Sequence, residues 1–202
     1  SGIADKIMSQ IVFENEFADK NAIRGIDGFS HLWLIWGFSK NIKDKQNLTV
    51  RPPRLGGNER VGVFASRSPF RPNNLGLSSV RLEKIEYNGG KPILIVSGAD
   101  LINETPIYDI KPYIAYTDSH TDAVCGFVDI TEFNTLNVKF TEGTLTKIAP
   151  QKAEVLKEIL SNDPRPAYDR ENERIYGFKF AHREIKFKVE GKELTVLSIE
   201  NE

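Results

Sequence analysis

Over most of this chain, polar and apolar positions repeat with a strand period. Ile7–Phe13 is a mixed run that suits one strand, and His31–Phe38 (HLWLIWGF) is apolar almost throughout. The second run is aromatic-rich and too short for a helix, which predicts a strand buried on both faces. Further strands are expected at Arg60–Ala65, at Ser78–Tyr87 with an Asn88-Gly-Gly90 turn, at Pro92–Gly98 completing that hairpin, and at Pro106–Tyr113. No segment of helical period interrupts them, so an antiparallel sheet or barrel is expected and not an alternating β/α order.

Past Ala115 the composition turns to Thr, Asp, Ser, Asn and His, which marks residues 116–132 as a linker. One clear helix follows. Pro150 suits its first turn, Ala153, Leu156, Ile159 and Leu160 line one face, and the two prolines of Asp163–Tyr168 (DPRPAY) stop it. Asn137–Phe140, Arg174–Phe180, Glu184–Val189 and Glu193–Ile199 read as strands, the last two joined at Gly191-Lys192. The expected organisation is a mainly β domain over residues 1–115, the linker, and a small α+β domain over residues 133–202.

Composition narrows the class. A 40% hydrophobic share supports a packed core, and a net charge of -1 excludes a polycationic tail-type nucleic-acid binder. Cys125 is the single cysteine, so neither an intrachain disulfide nor a cysteine zinc cluster can form, and the reducing cytoplasm is the expected compartment. The longest apolar run falls far short of the ~20 residues that span a bilayer, and the N-terminus lacks a basic-then-apolar signal pattern. There is no G-x-G-x-x-G, P-loop, H-E-x-x-H or G-x-S-x-G. His31, His120 and His182 lie too far apart in sequence to suggest a metal site.

The chemistry concentrates between Arg51 and Arg71 (RPPRLGGNERVGVFASRSPFR). Arg51, Arg54, Arg60, Arg67 and Arg71 face one acid, Glu59, giving +4 within a chain of net -1. Interleaved Pro, Gly and Asn hold such backbone in tight loops, and arginine forks pair bidentately with phosphate or carboxylate. Phe64 and Phe70 are either core residues or stacking faces for bases. Asn73 and Asn74 either read a base edge or cap turns. Asp109 and Lys111 share a face if their segment is a strand, where an ordinary ion pair would also explain them.

The stretch RPPRLGGNERVGVFASRSPFRPNNLGLS, with DLINETPIYDIKPY after it, closely resembles the TsaA-like family of TrmO-type tRNA methyltransferases. GFSHLWLIWGF, DPRPAY and IYGFKF resemble it too, so the likeness runs to about Tyr113 and resumes from about Asn137 to Val189. The resemblance implies a single-sheeted antiparallel β-barrel with a small C-terminal domain, a homodimer, and S-adenosylmethionine (SAM) as methyl donor. It implies methylation of N6 of N6-threonylcarbamoyladenosine at position 37 of tRNA, so the expected partner is the anticodon stem-loop. By motif position it implies cofactor contacts at His31, Leu32, Arg67, Leu77 and the segment Asp100, Leu101, Ile102 and Asn103. Three departures stand out. The family's strand and P-R-Q motif precede the point where Ser1-Gly2-Ile3 begins, its D-G-T-P is Asn103-Glu-Thr-Pro106, and its N-P-I-G is Asn73-Asn-Leu-Gly76.

An acceptor nitrogen conjugated to a purine and a carbamoyl group is a poor nucleophile until its proton leaves, so a base or an anion-stabilising group is expected. Asp109 is the candidate carboxylate, with Lys111 and Tyr113 as catalytic neighbours. Arg71 or Arg165 is the candidate for the threonyl carboxylate, and Arg51, Arg54 and Arg60 for anticodon-loop phosphates, with Asn73 on the substrate side. The alternatives are a non-catalytic RNA-binding barrel and a SAM-dependent methyltransferase with another acceptor.

Overall fold

The alternating runs become a five-stranded antiparallel sheet in the computed structural model, which describes residues 8–40, 47–56, 59–131, 135–165 and 174–201. Phe133 and the Pro-Ala-Tyr end of DPRPAY lie outside the described residues. The chain forms two compact units, one of Ser1–Val50 and Val61–Val124, the other of Arg51–Arg60 and Cys125–Glu202.

The first unit holds β1 (Met8–Val12), β2 (His31–Gly37), β5 (Leu75–Asn88), β6 (Lys91–Ser97) and β7 (Ile107–Pro112), in the order β1-β6-β5-β2-β7. The hairpin of β5 and β6 forms where the Asn88-Gly-Gly90 turn predicts it, with Gly89 and Gly90 in the left-handed region. Leu32, Leu34, Val80, Leu94 and Val96 project to one face and are essentially fully buried. Each contributes roughly 1.5–3 kcal/mol of transfer free energy. On the opposite face of β2, His31, Trp33 and Ile35 are only half-buried. The expectation of burial on both faces is corrected to a covered inner face and a partly open outer one. Arg60–Ala65 is also not one strand: β4 is only Val61–Gly62, paired with β3 (Thr49–Val50), and a 3-10 turn follows at Val63–Ala65.

The sheet does not close among the described residues. β1 pairs only with β6 and β7 only with β2, yet both edges line one cavity of about 1390 Å³. Bulges between Leu82 and Lys84 and between Ile35 and Trp36 add to the twist that curls the sheet.

In the second unit, β8 (Asn137–Phe140), β9 (Tyr176–Phe180), β10 (Arg183–Glu190) and β11 (Glu193–Asn201) form a sheet of order β8-β11-β10-β9. The helix Pro150–Ser161 packs Leu156 and Leu160 into the core with Ile185, Phe187 and Val196. The β8–β11 pair is parallel, which strand patterning alone does not indicate. Of two short helices, α1 (Ala115–Asp118) starts one residue before the segment read as a linker and α2 (Phe127–Ile130) falls within it, which makes the long helix α3.

β9 and β10 are joined by Ala181 and His182, with φ of 51° and 60°. A two-residue hairpin with both central residues left-handed favours Asn-Gly. Replacing Ala181 with Asn and His182 with Gly is expected to raise stability by about 1 kcal/mol, read in thermal unfolding.

Candidate active site at one end of the sheet

Register decides which candidate residues meet. In an antiparallel pair, residues directly opposite share a face. His31 pairs with Arg81 and Arg81 with Ser97, while the Tyr113 amide donates to the His31 carbonyl at 3.0 Å. The chain therefore leaves β6 towards Asp100–Asn103 at the same end of the sheet where β2 starts and β7 finishes. The Tyr113 ring lies 6.2 Å from His31 and 5.5 Å from Trp33 between centroids, and the Ser30 hydroxyl meets His31 Nδ1 at 2.9 Å.

Further along the same outer face, Trp33 pairs with Lys111, and Ile35 with both Asp109 and Leu77. The bulge makes this possible. Ile110 stands opposite Leu34 and Ile107 opposite Trp36, so Tyr108 is the extra residue that turns Asp109 outward and still keeps both isoleucines in the core. Lys111 Nζ lies 2.9 Å from Asp109 Oδ2. That hydrogen bond chiefly, with the lysine's charge and the Ile110 amide, holds the Asp109 carboxyl below its ordinary 3.8 against the opposing effect of desolvation. The group stays ionised above 3.8, and the ion pair is lost only as pH falls through the lower folded value.

Leu32 is fully buried, points to the opposite face and lies between β5 and β7, so the structure does not bring its side chain to the outer face at this end of the sheet. Asp100 and Glu104 have φ of 46° and 64°. Glu104 occupies the place of the family's glycine in a left-handed turn, and the Thr105 hydroxyl and amide both bond back to the Ile102 carbonyl. Ile102 and Asn103 are exposed beside it, while Leu101 packs partly against the core.

The loop carrying Arg67 is built from its own side chains. Ser66 Oγ donates to the Val63 carbonyl, the Ser68 amide donates to Ser66 Oγ, and Arg71 Nη1 donates to the carbonyls of Val63 at 2.9 Å and Ser66 at 2.6 Å. Arg71 thus spends one terminal nitrogen holding the loop, and its guanidinium carbon lies 5.8 Å from the centre of the Phe64 ring. Arg67 is exposed. Phe64 is 77% exposed and so is no core residue. Asn74 Nδ2 donates to the Pro69 carbonyl, so Asn74 holds a turn, whereas Asn73 is exposed.

The remaining arginines belong to the other unit. Arg51, Arg54 and Arg60 are exposed there, Arg54 within a 3-10 turn at Pro53–Leu55 and the other two on either side of it. Arg165 is 7% exposed and grips Asp163 bidentately, Nε to Oδ1 at 2.8 Å and Nη2 to Oδ2 at 2.9 Å. The Asp163 hydrogen bonds raise its pKa, and the guanidinium also lies 5.9 Å from the centre of the Tyr176 ring. This arginine already has its carboxylate, which speaks against its use on a substrate carboxylate.

Sequence reasoning missed Trp33, Arg81 and Asp118 at this end of the sheet. Alternation with His31 was a signal for Trp33, but Asp118 meets the Trp33 indole across 85 residues of sequence. Among the described residues no group of three or more His, Cys, Asp or Glu side chains could hold a metal ion. The aromatic faces of Trp33 and Tyr113 fit a sulfonium-bearing ligand such as SAM.

Comparison with known proteins gives the family. The family model for the tRNA-methyltransferase O N-terminal domain matches residues 1–119, and that for the TrmO C-terminal domain matches residues 134–202. The chain belongs to the TrmO family. It is 42% identical over 154 residues to a tRNA (adenine(37)-N6)-methyltransferase of Escherichia coli, covering 73% of this chain and 66%, just under two thirds, of that protein. An Eikenella corrodens protein of the same description is 40% identical, covering 80% of this chain and 92% of the relative. A crystal structure of TrmO from Pseudomonas aeruginosa superposes with a TM-score of 0.77 at 27% identity, over 99% of this chain and 86% of that one.

Proposed function

We infer that this TrmO-family chain is a SAM-dependent tRNA methyltransferase acting on an adenine N6 at position 37. The observation that carries this is the joint match of both family domains, in that order, along one chain whose nearly complete fold superposes on a solved TrmO. The acceptor is N6-threonylcarbamoyladenosine in the anticodon stem-loop, and the reaction runs in the cytoplasm. No helix among the described residues is long and apolar enough to cross a membrane.

SAM supplies an electrophilic methyl group on a good leaving group. His31, Tyr113 and the Asp100–Asn103 segment would hold it, with Leu77 farther along the outer face opposite Ile35 and Arg67 on its exposed loop. Lys111 stabilises negative charge on the carbamoyl oxygen as N6 becomes nucleophilic. Asp109 orients that ammonium. It would accept the N6 proton as the N–CH3 bond forms and the S–CH3 bond breaks to leave a neutral thioether, the nitrogen's electron pair being shared with the carbamoyl oxygen that Lys111 stabilises. Arg71, with a guanidinium nitrogen beyond Nη1, is favoured over Arg165 for the threonyl carboxylate, and Asn73 lies on the substrate side.

A closed barrel is part of this reading. The free edges of β1 and β7 face one cavity, and a further strand laid between them would satisfy both. A homodimer is supported by the exposure of Leu75 and Leu77 on the outer face, at 44% and 57%.

The test is mass spectrometry of tRNA nucleosides after incubation with the purified chain and SAM. Methylation of N6-threonylcarbamoyladenosine is expected. SAM binding with no methylated nucleoside would point to another acceptor, and tRNA binding with no SAM binding to a non-catalytic RNA-binding protein. The arginine turn has its own test. If Arg51, Arg54 and Arg60 each meet one phosphate, replacing all three with Ala should flatten the slope of log affinity for tRNA against log salt by roughly 2 units. SAM affinity should hold, and an unchanged slope would move the RNA surface elsewhere.

A further inference from the structure

The turn that follows β7 is held by an acid that no motif points to. Asp118 Oδ2 accepts from the Trp33 indole Nε1 at 2.8 Å and from the Ile114 amide at 2.9 Å, and Oδ1 accepts from the Thr117 hydroxyl at 3.3 Å. In return the Asp118 amide donates to the Ile114 carbonyl at 2.9 Å, closing the turn of α1 from both sides. Tyr113 sits immediately before this turn. Its amide is tied to the His31 carbonyl and its ring contacts both Trp33 and His31. Without Asp118, neither Trp33 Nε1 nor the Ile114 amide keeps the partner shown, and the two groups that orient Tyr113 lose their common anchor.

We propose that Asp118 is a positioning residue for the SAM site: through Trp33 and Ile114 it fixes the Tyr113 ring against His31, and it does so as a hydrogen-bond acceptor and not as a charge. The inference rests on the functional reading above and adds to it a residue 85 positions from its indole partner.

Asparagine separates the two roles. Its amide oxygen can replace Oδ2 and keep both bonds from Trp33 and Ile114, and its amide nitrogen can face the Thr117 hydroxyl, which also accepts. For full-length Asp118→Asn, SAM affinity by calorimetry is expected to stay within about twofold of wild type. Asp118→Ala and Trp33→Phe should each weaken it about tenfold, the scale of one lost hydrogen bond to an ionised group. The double variant should be no weaker than Asp118→Ala alone, because both changes break one linkage. A second readout needs no cofactor: amide hydrogen exchange at Ile114 should speed up in Asp118→Ala and not in Asp118→Asn.

Three results would overturn the proposal: loss of SAM binding in Asp118→Asn as severe as in Asp118→Ala, unchanged affinity in both Asp118→Ala and Trp33→Phe, or additive losses in the double variant. If Asp118→Ala fails to fold, Trp33→Phe and Asp118→Asn still decide. A wild-type chain that binds no SAM would overturn the functional reading instead, and exchange at Ile114 would still judge the clasp.

Discussion

Replacing Lys111 with alanine is expected to slow methyl transfer by about 10²- to 10³-fold, the range seen when one preorganised donor to a developing negative charge is removed. The geometry makes the lysine the stronger of the two catalytic candidates. Its ammonium stands 2.9 Å from Asp109 on the open outer face, with Lys111 in register with Trp33 and two residues along the strands from the Ile35–Leu77 pair. The carboxylate is a weak base as it stands, since Lys111 holds its pKa down. Asp109→Asn should therefore cost less than Lys111→Ala: the amide oxygen still accepts from the ammonium, while the proton acceptor is lost. SAM affinity should change little in either variant, because the loss falls in the transition state and appears in kcat. Single-turnover methylation with saturating SAM, alongside calorimetry, separates these terms. A Lys111→Ala enzyme that turns over normally would remove charge stabilisation by this lysine from the mechanism. Between about pH 5 and 8 no acid limb should arise from Asp109, since its folded pKa lies below 3.8.

Replacing Gly76 with alanine is expected to destabilise the first unit by about 3 kcal/mol or more, at the upper end of overpacking costs. Gly76 lies directly across from Trp36. A methyl group there would overlap Cε2 and Cζ2 of the indole and stand 2.7 Å from its Cδ2. The indole cannot easily move aside, because its Nε1 donates to the buried Ser78 hydroxyl at 3.0 Å and its ring packs 4.3 Å from Phe38 between centroids. Displacing it would leave the Ser78 hydroxyl without that partner on the core face. Thermal unfolding should show a loss of roughly 6–12 °C for a chain of this size. Adding Trp36→Leu to Gly76→Ala should cost less than the two single changes summed, since the smaller side chain removes the overlap. An alanine variant with wild-type unfolding would mean that the indole has another place to go. The glycine of N-N-L-G therefore has a packing reason at this position.

Several features followed from the sequence because they depend on short-range periods. Apolar patterning and turn residues placed β1, β6, β7, β10 and β11 within one or two residues of their observed bounds, and β5 without its first three residues. Pro150, with the spacing of Leu156 and Leu160, placed the helix, since a 3.6-residue period and an N-terminal proline are local properties. The arginine-rich motif and its family resemblance were likewise local in sequence. What tertiary structure alone decided was partnership. The parallel pairing of β8 with β11 joins segments more than 50 residues apart, and no local pattern encodes it. Asp109 shares a face with Ile35 only because Tyr108 bulges out, and one inserted residue inverts the phase of everything after it. Arg165 looked available to a substrate until the fold gave it Asp163, whereas Arg71 commits only Nη1 to the Val63 and Ser66 carbonyls. Asp118 was indistinguishable from any surface acid until β2 brought Trp33 to it. A side chain's type is set by its own codon, but whether its hydrogen-bonding capacity is spent or still open depends on which distant backbone and side-chain groups the folded chain brings within about 3 Å of it.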